Sequence, residues 1–103
     1  MATFIALWEK PDDIEAFEDH YRNEHMGLCE KWPGVQSMSV IKVSGTPTGD
    51  ASHYHLVFTA TFASTDDLQA ALKSPEMLAS GKDAMGLAKR TGARPTFIVG
   101  DDF

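Results

Sequence analysis

The sequence predicts an α+β fold with a four-stranded antiparallel sheet, and three observations predict it. The hydrophobic period switches between two and about 3.6 residues in the order β-α-β-β-α-α-β. Each switch is bounded by a capping residue, a proline or a glycine. A chain of 103 residues suits one core and leaves little room for a second, so a single domain over residues 1–103 is expected.

The elements follow in order. "TFIALWE", residues 3–9, is apolar and partly β-branched or aromatic, and Pro11 closes it as a buried strand. Asp12 or Asp13 then caps a helix in which Ile14, Phe17, Tyr21, Leu28 and Trp32 fall within an arc of about 60°. "WPG" at 32–34 stops it, because Pro33 disfavours helical geometry in the residue before it. "VQSMSVIKV", residues 35–43, reads as a second strand, and "SGTPTGDAS", residues 44–52, as a polar loop. "HYHLVFTATF", residues 53–62, alternates: Tyr54, Leu56, Phe58, Ala60 and Phe62 form an apolar row, and His53, His55, Val57, Thr59 and Thr61 a mixed one. Ser64 with Asp67 three residues on caps a short helix, and Ser74–Pro75 opens another that carries Met77, Leu78, Met85 and Ala88. "RPTFIVGDDF" supplies the last strand and an acidic tail.

This order is the split βαβ arrangement of ferredoxin-like folds, with the second helix broken in two. Helices on one side leave the other sheet face uncovered, and Val57 with Ile5, Ile41 or their neighbours makes that face too apolar for water. A face-to-face homodimer that closes an α+β barrel is therefore expected.

A hydrophobic fraction of 43% contains no run near the roughly 20 residues needed to span a bilayer, so no membrane association is expected. The N-terminus lacks a positive region before its apolar residues and reads as a strand and not a signal peptide, which makes a cytoplasmic location the expectation. Cys29 is the sole cysteine, so no intrachain disulfide can form. Nine basic against fifteen acidic residues argue against a nucleic-acid partner. Lys82, Lys89, Arg90 and Arg94, broken by Asp83, read as a solvated helix face.

The reactive side chains cluster in "HYRNEHMGLCEKWPG", residues 20–34. On the α-helical wheel His25 lies about 50° from the centre of the apolar arc and should face inward, with Tyr21 one turn before it; His20 lies about 90° away and should face outward. Cys29 sits near a helix C-terminus, the unfavourable end for a thiolate, and reads as a structural thiol. Trp32 is a pocket wall or core plug. His53 and His55 have the spacing of two metal ligands but lack a third. His20 and His25, about 140° apart, cannot both serve one ion, so no metal is expected. His55, Thr59 and Thr61 are expected to offer polar groups to a ligand at the uncovered sheet face. "GTPTGD" precedes no helix, and no nucleotide or flavin signature occurs, so no bound cofactor is expected.

"FEDHYRNEHMGL", then "WPGV", the Tyr-His-Leu of the third strand and "FASTDDLQAALKSPE" stand in an order and spacing similar to the EthD-like family of the dimeric α+β barrel superfamily. The resemblance covers essentially the whole chain, although Gly27 replaces a proline that relatives often carry after His-Met. It implies a homodimer with a pocket for a small aromatic, lactone or polyketide-like compound. The superfamily's chemistry spans cofactor-independent isomerases, cyclases and monooxygenases, so it implies a pocket more firmly than a reaction. Lactone-isomerising relatives carry a mechanistic histidine at the position of His25, which implies a general base there, with Tyr21 and His55 hydrogen-bonding the developing enolate. The alternatives are a non-enzymatic ligand-binding or accessory protein and, as a minority reading, a haem-binding member with His25 or His55 as axial ligand.

Overall fold

A computed structural model of residues 1–103 shows the expected element order. Strand β1 (Ala2–Glu9) leads to α1 (Ile14–His20), which runs through a π-helical turn (Tyr21–His25) into α2 (Met26–Cys29). Strands β2 (Val35–Lys42) and β3 (Tyr54–Phe62) are followed by α3 (Thr65–Leu72), α4 (Pro75–Thr91) and β4 (Pro95–Asp101). All strand pairs are antiparallel and the sheet order is β2-β3-β1-β4, the ferredoxin-like arrangement. No helix is long and apolar enough to cross a membrane.

Local chemistry accounts for the boundaries. The side chains of Asp13, Ser64 and Ser74 accept from the backbone N–H of Ala16, Asp67 and Met77, each at 3.1 Å, and Pro75 opens α4 where its missing N–H is harmless. Gly92 ends α4 in the left-handed region at φ 77°, and a Cβ there would overlap the Asp12 carboxylate, so both conformation and space require glycine.

The helices cover one sheet face. Phe4, Ala6 and Trp8 of β1 and Leu56, Phe58 and Phe62 of β3 are buried on it, against Phe17, Leu68 and Leu87. The opposite face carries an apolar stripe across all four strands, in which Ile5 pairs with Ile98, Leu7 with Val57, and Ile41 with Val57. Ile41 and Ile98 on it are 57% and 46% exposed, more than isolated surface residues of that size require. Beside the stripe, Ser37 and Ser39 on β2 hydrogen-bond Thr61 and Thr59 on β3.

Two local irregularities depart from regular periodicity. The N–H of Met26 donates to the carbonyl of Tyr21, five residues back, so this turn holds one residue more than an α-turn. At the end of β1 the register slips: Trp8 opposes Leu56, but Glu9 opposes Tyr54, leaving His55 as an extra residue in a β-bulge. Both irregularities redirect histidines.

Candidate functional site

A cavity of about 290 Å³ lies between the helix-covered sheet face and the helices α2 and α4. Its wall includes Trp8 from β1, Tyr21 and His25 from the π-turn, Trp32 from the helix stop, and Ser80 from α4. Aromatic packing fixes these groups. The Tyr21 and His25 rings are 5.0 Å apart, and Trp8 stands edge-on to both, at 6.0 Å and 6.1 Å. Trp32 donates through Nε1 to Ser80 Oγ at 2.8 Å, and Ser80 in turn donates to the Met77 carbonyl at 2.9 Å.

His25, 5% exposed, places Nδ1 2.8 Å from Oδ2 of Asp83 on α4. His20 places Nε2 2.9 Å and 3.0 Å from the two Asp83 oxygens, and Arg90 Nη2 lies 3.3 Å from His20 Nδ1. These contacts assign the tautomers. An ionised carboxylate only accepts, so His25 donates from Nδ1 and keeps a lone pair on Nε2; His20 donates from Nε2 and accepts from Arg90 at Nδ1.

Burial lowers the His25 pKa, a pull that the Asp83 carboxylate only partly offsets, so the imidazole is neutral near pH 7. Burial alone would raise the Asp83 carboxyl, but hydrogen bonds from His25 and His20 outweigh it and hold the group below the ordinary carboxylate range. Burial raises the Tyr21 phenol, which remains a hydroxyl. The Cys29 thiol, also in the wall, is pushed up to about 12 by burial and then by Asp83 and Glu30, so it is no thiolate nucleophile.

Tyr21, His25 and Trp32 thus share the cavity wall, as the sequence leads one to expect of an inward-facing His25. His55 does not join them, and its expected place on the uncovered face is corrected: the bulge turns it to the helix side. There it packs edge-on to Phe17 at 5.8 Å and bonds through Nε2 to Glu18 at 2.8 Å. Glu18 also pairs with Lys42 at 2.8 Å; the Lys42 and His55 hydrogen bonds lower its pKa. Thr59 and Thr61 lie on the opposite sheet face from the cavity, bonded to Ser39 and Ser37. His20 is corrected too. It is not an outward residue, and it shares one carboxylate with His25, because across a π-turn five residues come close to a full revolution. Asp83 itself carries no local signal, standing 58 residues from His25 within a run read as a solvated face.

These pKa directions set the acid stability. The unfolded chain binds a proton at His25 near pH 6.5 while the folded chain resists it, so stability falls as pH drops from about 6.5 through the lowered folded value. Asp83 and Glu18 stabilise fully above their unfolded values near pH 4, and that contribution is lost as pH falls through their lower folded values. Urea midpoints from pH 8 to pH 3 should therefore be flat at first, decline below about 6.5 and decline again below about 4. A midpoint constant from pH 7 to 5 would contradict the neutral, buried His25.

The family model described as the EthD domain matches residues 10–91. Among solved structures, a crystal structure of an ethyl tert-butyl ether D (EthD) family protein from Bacillus halodurans is 37% identical, with a TM-score of 0.89, and the match covers 100% of this chain and 99% of that one. SnoaB from Streptomyces nogalater, a cofactor-independent oxygenase, is 13% identical with a TM-score of 0.67, over 99% of this chain and 92% of that one. A dimeric protein of ferredoxin-like fold from Bacteroides fragilis is 15% identical with a TM-score of 0.62, over 98% and 96%. The last two likenesses show the shared fold alone. No curated protein matches the chain.

Proposed function

The chain belongs to the EthD family, and from that premise we propose a cofactor-independent enzyme that moves a proton on a small aromatic, lactone or polyketide-like carbonyl compound. The observation that carries this reading is His25 in the wall of an apolar cavity, with Asp83 hydrogen-bonded to it from behind. His25 Nε2 is the general base: a C–H bond next to the carbonyl breaks, its proton passes to Nε2, and its electron pair becomes an enolate. Asp83 orients the ring and stabilises the imidazolium, which returns the proton to a second carbon to complete an isomerisation. The Tyr21 ring lies 5.0 Å from the imidazole in the same wall, and its hydroxyl, kept protonated by burial, is the donor assigned to the enolate. SnoaB supports the reading to the extent that the same fold houses cofactor-independent chemistry in that protein.

The test is α-proton exchange on a simple carbon acid. In deuterium oxide near pH 7 the protein should speed loss of the α-proton NMR signals of 2-tetralone beyond the rate in imidazole buffer of equal concentration. Saturable binding without exchange would make the chain a ligand-binding protein, the alternative that an apolar cavity equally permits.

The apolar stripe on the uncovered face supports a homodimer, one domain from each chain, closed sheet to sheet. Native mass spectrometry should give twice the 11.3 kDa chain mass. Val57→Asp, which places a charge where the stripe crosses β3, should give the monomer at the same micromolar concentration. A monomeric wild-type protein would sink the dimer and leave the cavity chemistry to be judged separately.

A further inference from the structure

We infer that Trp8 holds the carbonyl oxygen of the substrate, and that the cavity takes a flat, neutral carbonyl compound in preference to a carboxylate. The inference rests on the reading of His25 as the base in this cavity and adds the group that receives the negative charge.

Trp8 is 1% exposed, and its Nε1 is the one buried side-chain nitrogen or oxygen in the protein without a hydrogen-bond partner. Buried indole N–H groups ordinarily find an acceptor, because an unpaired one has given up water for nothing. The same wall contains an internal control: Trp32, equally a cavity residue, is satisfied by Ser80. Neither Tyr21 nor His25, whose rings stand 6.0 Å and 6.1 Å from Trp8, bonds its N–H, and its cross-strand partners Leu56 and Pro95 have side chains without an acceptor. The fold supplies an acceptor for one tryptophan and withholds it from the other.

The charge balance of the wall selects the ligand. No lysine or arginine lines the cavity, and the carboxylate nearest to it, Asp83, lies directly behind His25. A carboxylate ligand would be desolvated without a cation and would face that negative charge. A neutral ketone, lactone or quinone enters without either penalty. When its α-proton passes to His25, the imidazolium and the enolate form together, so the site's net charge is unchanged. The enolate oxygen then accepts from the Trp8 N–H, which a small turn of the indole uncovers to the cavity; the ring stands 6.1 Å from the imidazole and at 84° to it. The aromatic walls favour a flat guest.

Three bicyclic probes separate the possibilities by calorimetric or NMR titration: 2-tetralone, its deoxygenated analogue tetralin, and 2-naphthoate. Wild-type protein should bind 2-tetralone roughly ten- to a hundredfold more tightly than tetralin, with no measurable binding of 2-naphthoate. With 3-benzothienylalanine at position 8, which keeps the ring shape and replaces the N–H by sulfur, the ratio should collapse towards one while tetralin affinity is unchanged. Trp8→Phe should show the same collapse, and circular dichroism checks that both variants are folded. A ratio near one in the wild type, or a ratio retained without the N–H, overturns the role of Trp8 and leaves His25 as base untouched. Tight binding of 2-naphthoate overturns the preference for a neutral guest. Failure of all three to bind overturns the cavity reading on which the inference rests.

Discussion

His25→Ala should lower the rate of α-proton exchange on 2-tetralone by about 10²- to 10⁴-fold, the usual contribution of a positioned general base. The expectation follows from the tautomer: Nδ1 is committed to Asp83 at 2.8 Å, which leaves Nε2 as the basic nitrogen. Truncation leaves Asp83 bonded to His20, so the carboxylate keeps a partner and the fold should survive with a loss of about 1–3 kcal/mol. Asp83→Asn makes the complementary test. An amide can donate as well as accept and so no longer dictates the tautomer, and the exchange rate should fall while substrate affinity holds. The wild-type rate should also persist below pH 6.5, since the His25 pKa is lowered, and drop only as the imidazole finally takes up a proton. Exchange retained in His25→Ala would remove the mechanism outright.

Phe17→Ala should cost about 3–5 kcal/mol in stability, the range for deleting a fully buried phenylalanine. Phe17 has no exposed surface. It stacks on Tyr21 at 5.5 Å and meets Trp8 and His55 edge-on at 5.2 Å and 5.8 Å, so its loss opens a void among three aromatic or imidazole neighbours. Because Tyr21 and Trp8 are also cavity walls, loss of the ring should loosen the site as well as the core. Urea unfolding should show a lower midpoint with an unchanged slope. Leu78→Ala supplies the contrast, since Leu78 is 63% exposed and should change stability by roughly 0.5 kcal/mol at most. Equal losses in the two variants would contradict the core described for α1.

The residues that were legible in the sequence are those whose signals are local. Asp13, Ser64 and Ser74 cap because their side-chain oxygens reach backbone N–H groups three residues on, and Pro75 follows Ser74 in the first turn, where its missing N–H is harmless. The alternation of Leu56, Phe58, Ala60 and Phe62 survives intact because a sheet half-covered by helices enforces a period of two. His25 is found inward, but an ideal wheel assigns it that place without the π-turn that sets its final aim. The same wheel misplaces His20, since a single added residue rotates everything on either side of it relative to the other. His55 escapes for the equivalent reason in a strand, where one extra residue at the bulge inverts the face. Asp83 escapes for a different reason: an acid among lysines on an amphipathic helix looks solvated until tertiary packing brings two histidines to it. Regular periods reveal architecture, and the site is assembled where they break.

The chain has two tryptophans, and both stand in the cavity wall. Its indole emission therefore originates entirely from that wall, one ring with its N–H hydrogen-bonded to Ser80 and the other with its N–H unbonded. Any guest that enters changes the surroundings of both fluorophores at once. The protein consequently carries its own optical reporter for ligand screening, with no label attached and no background from tryptophans elsewhere in the fold.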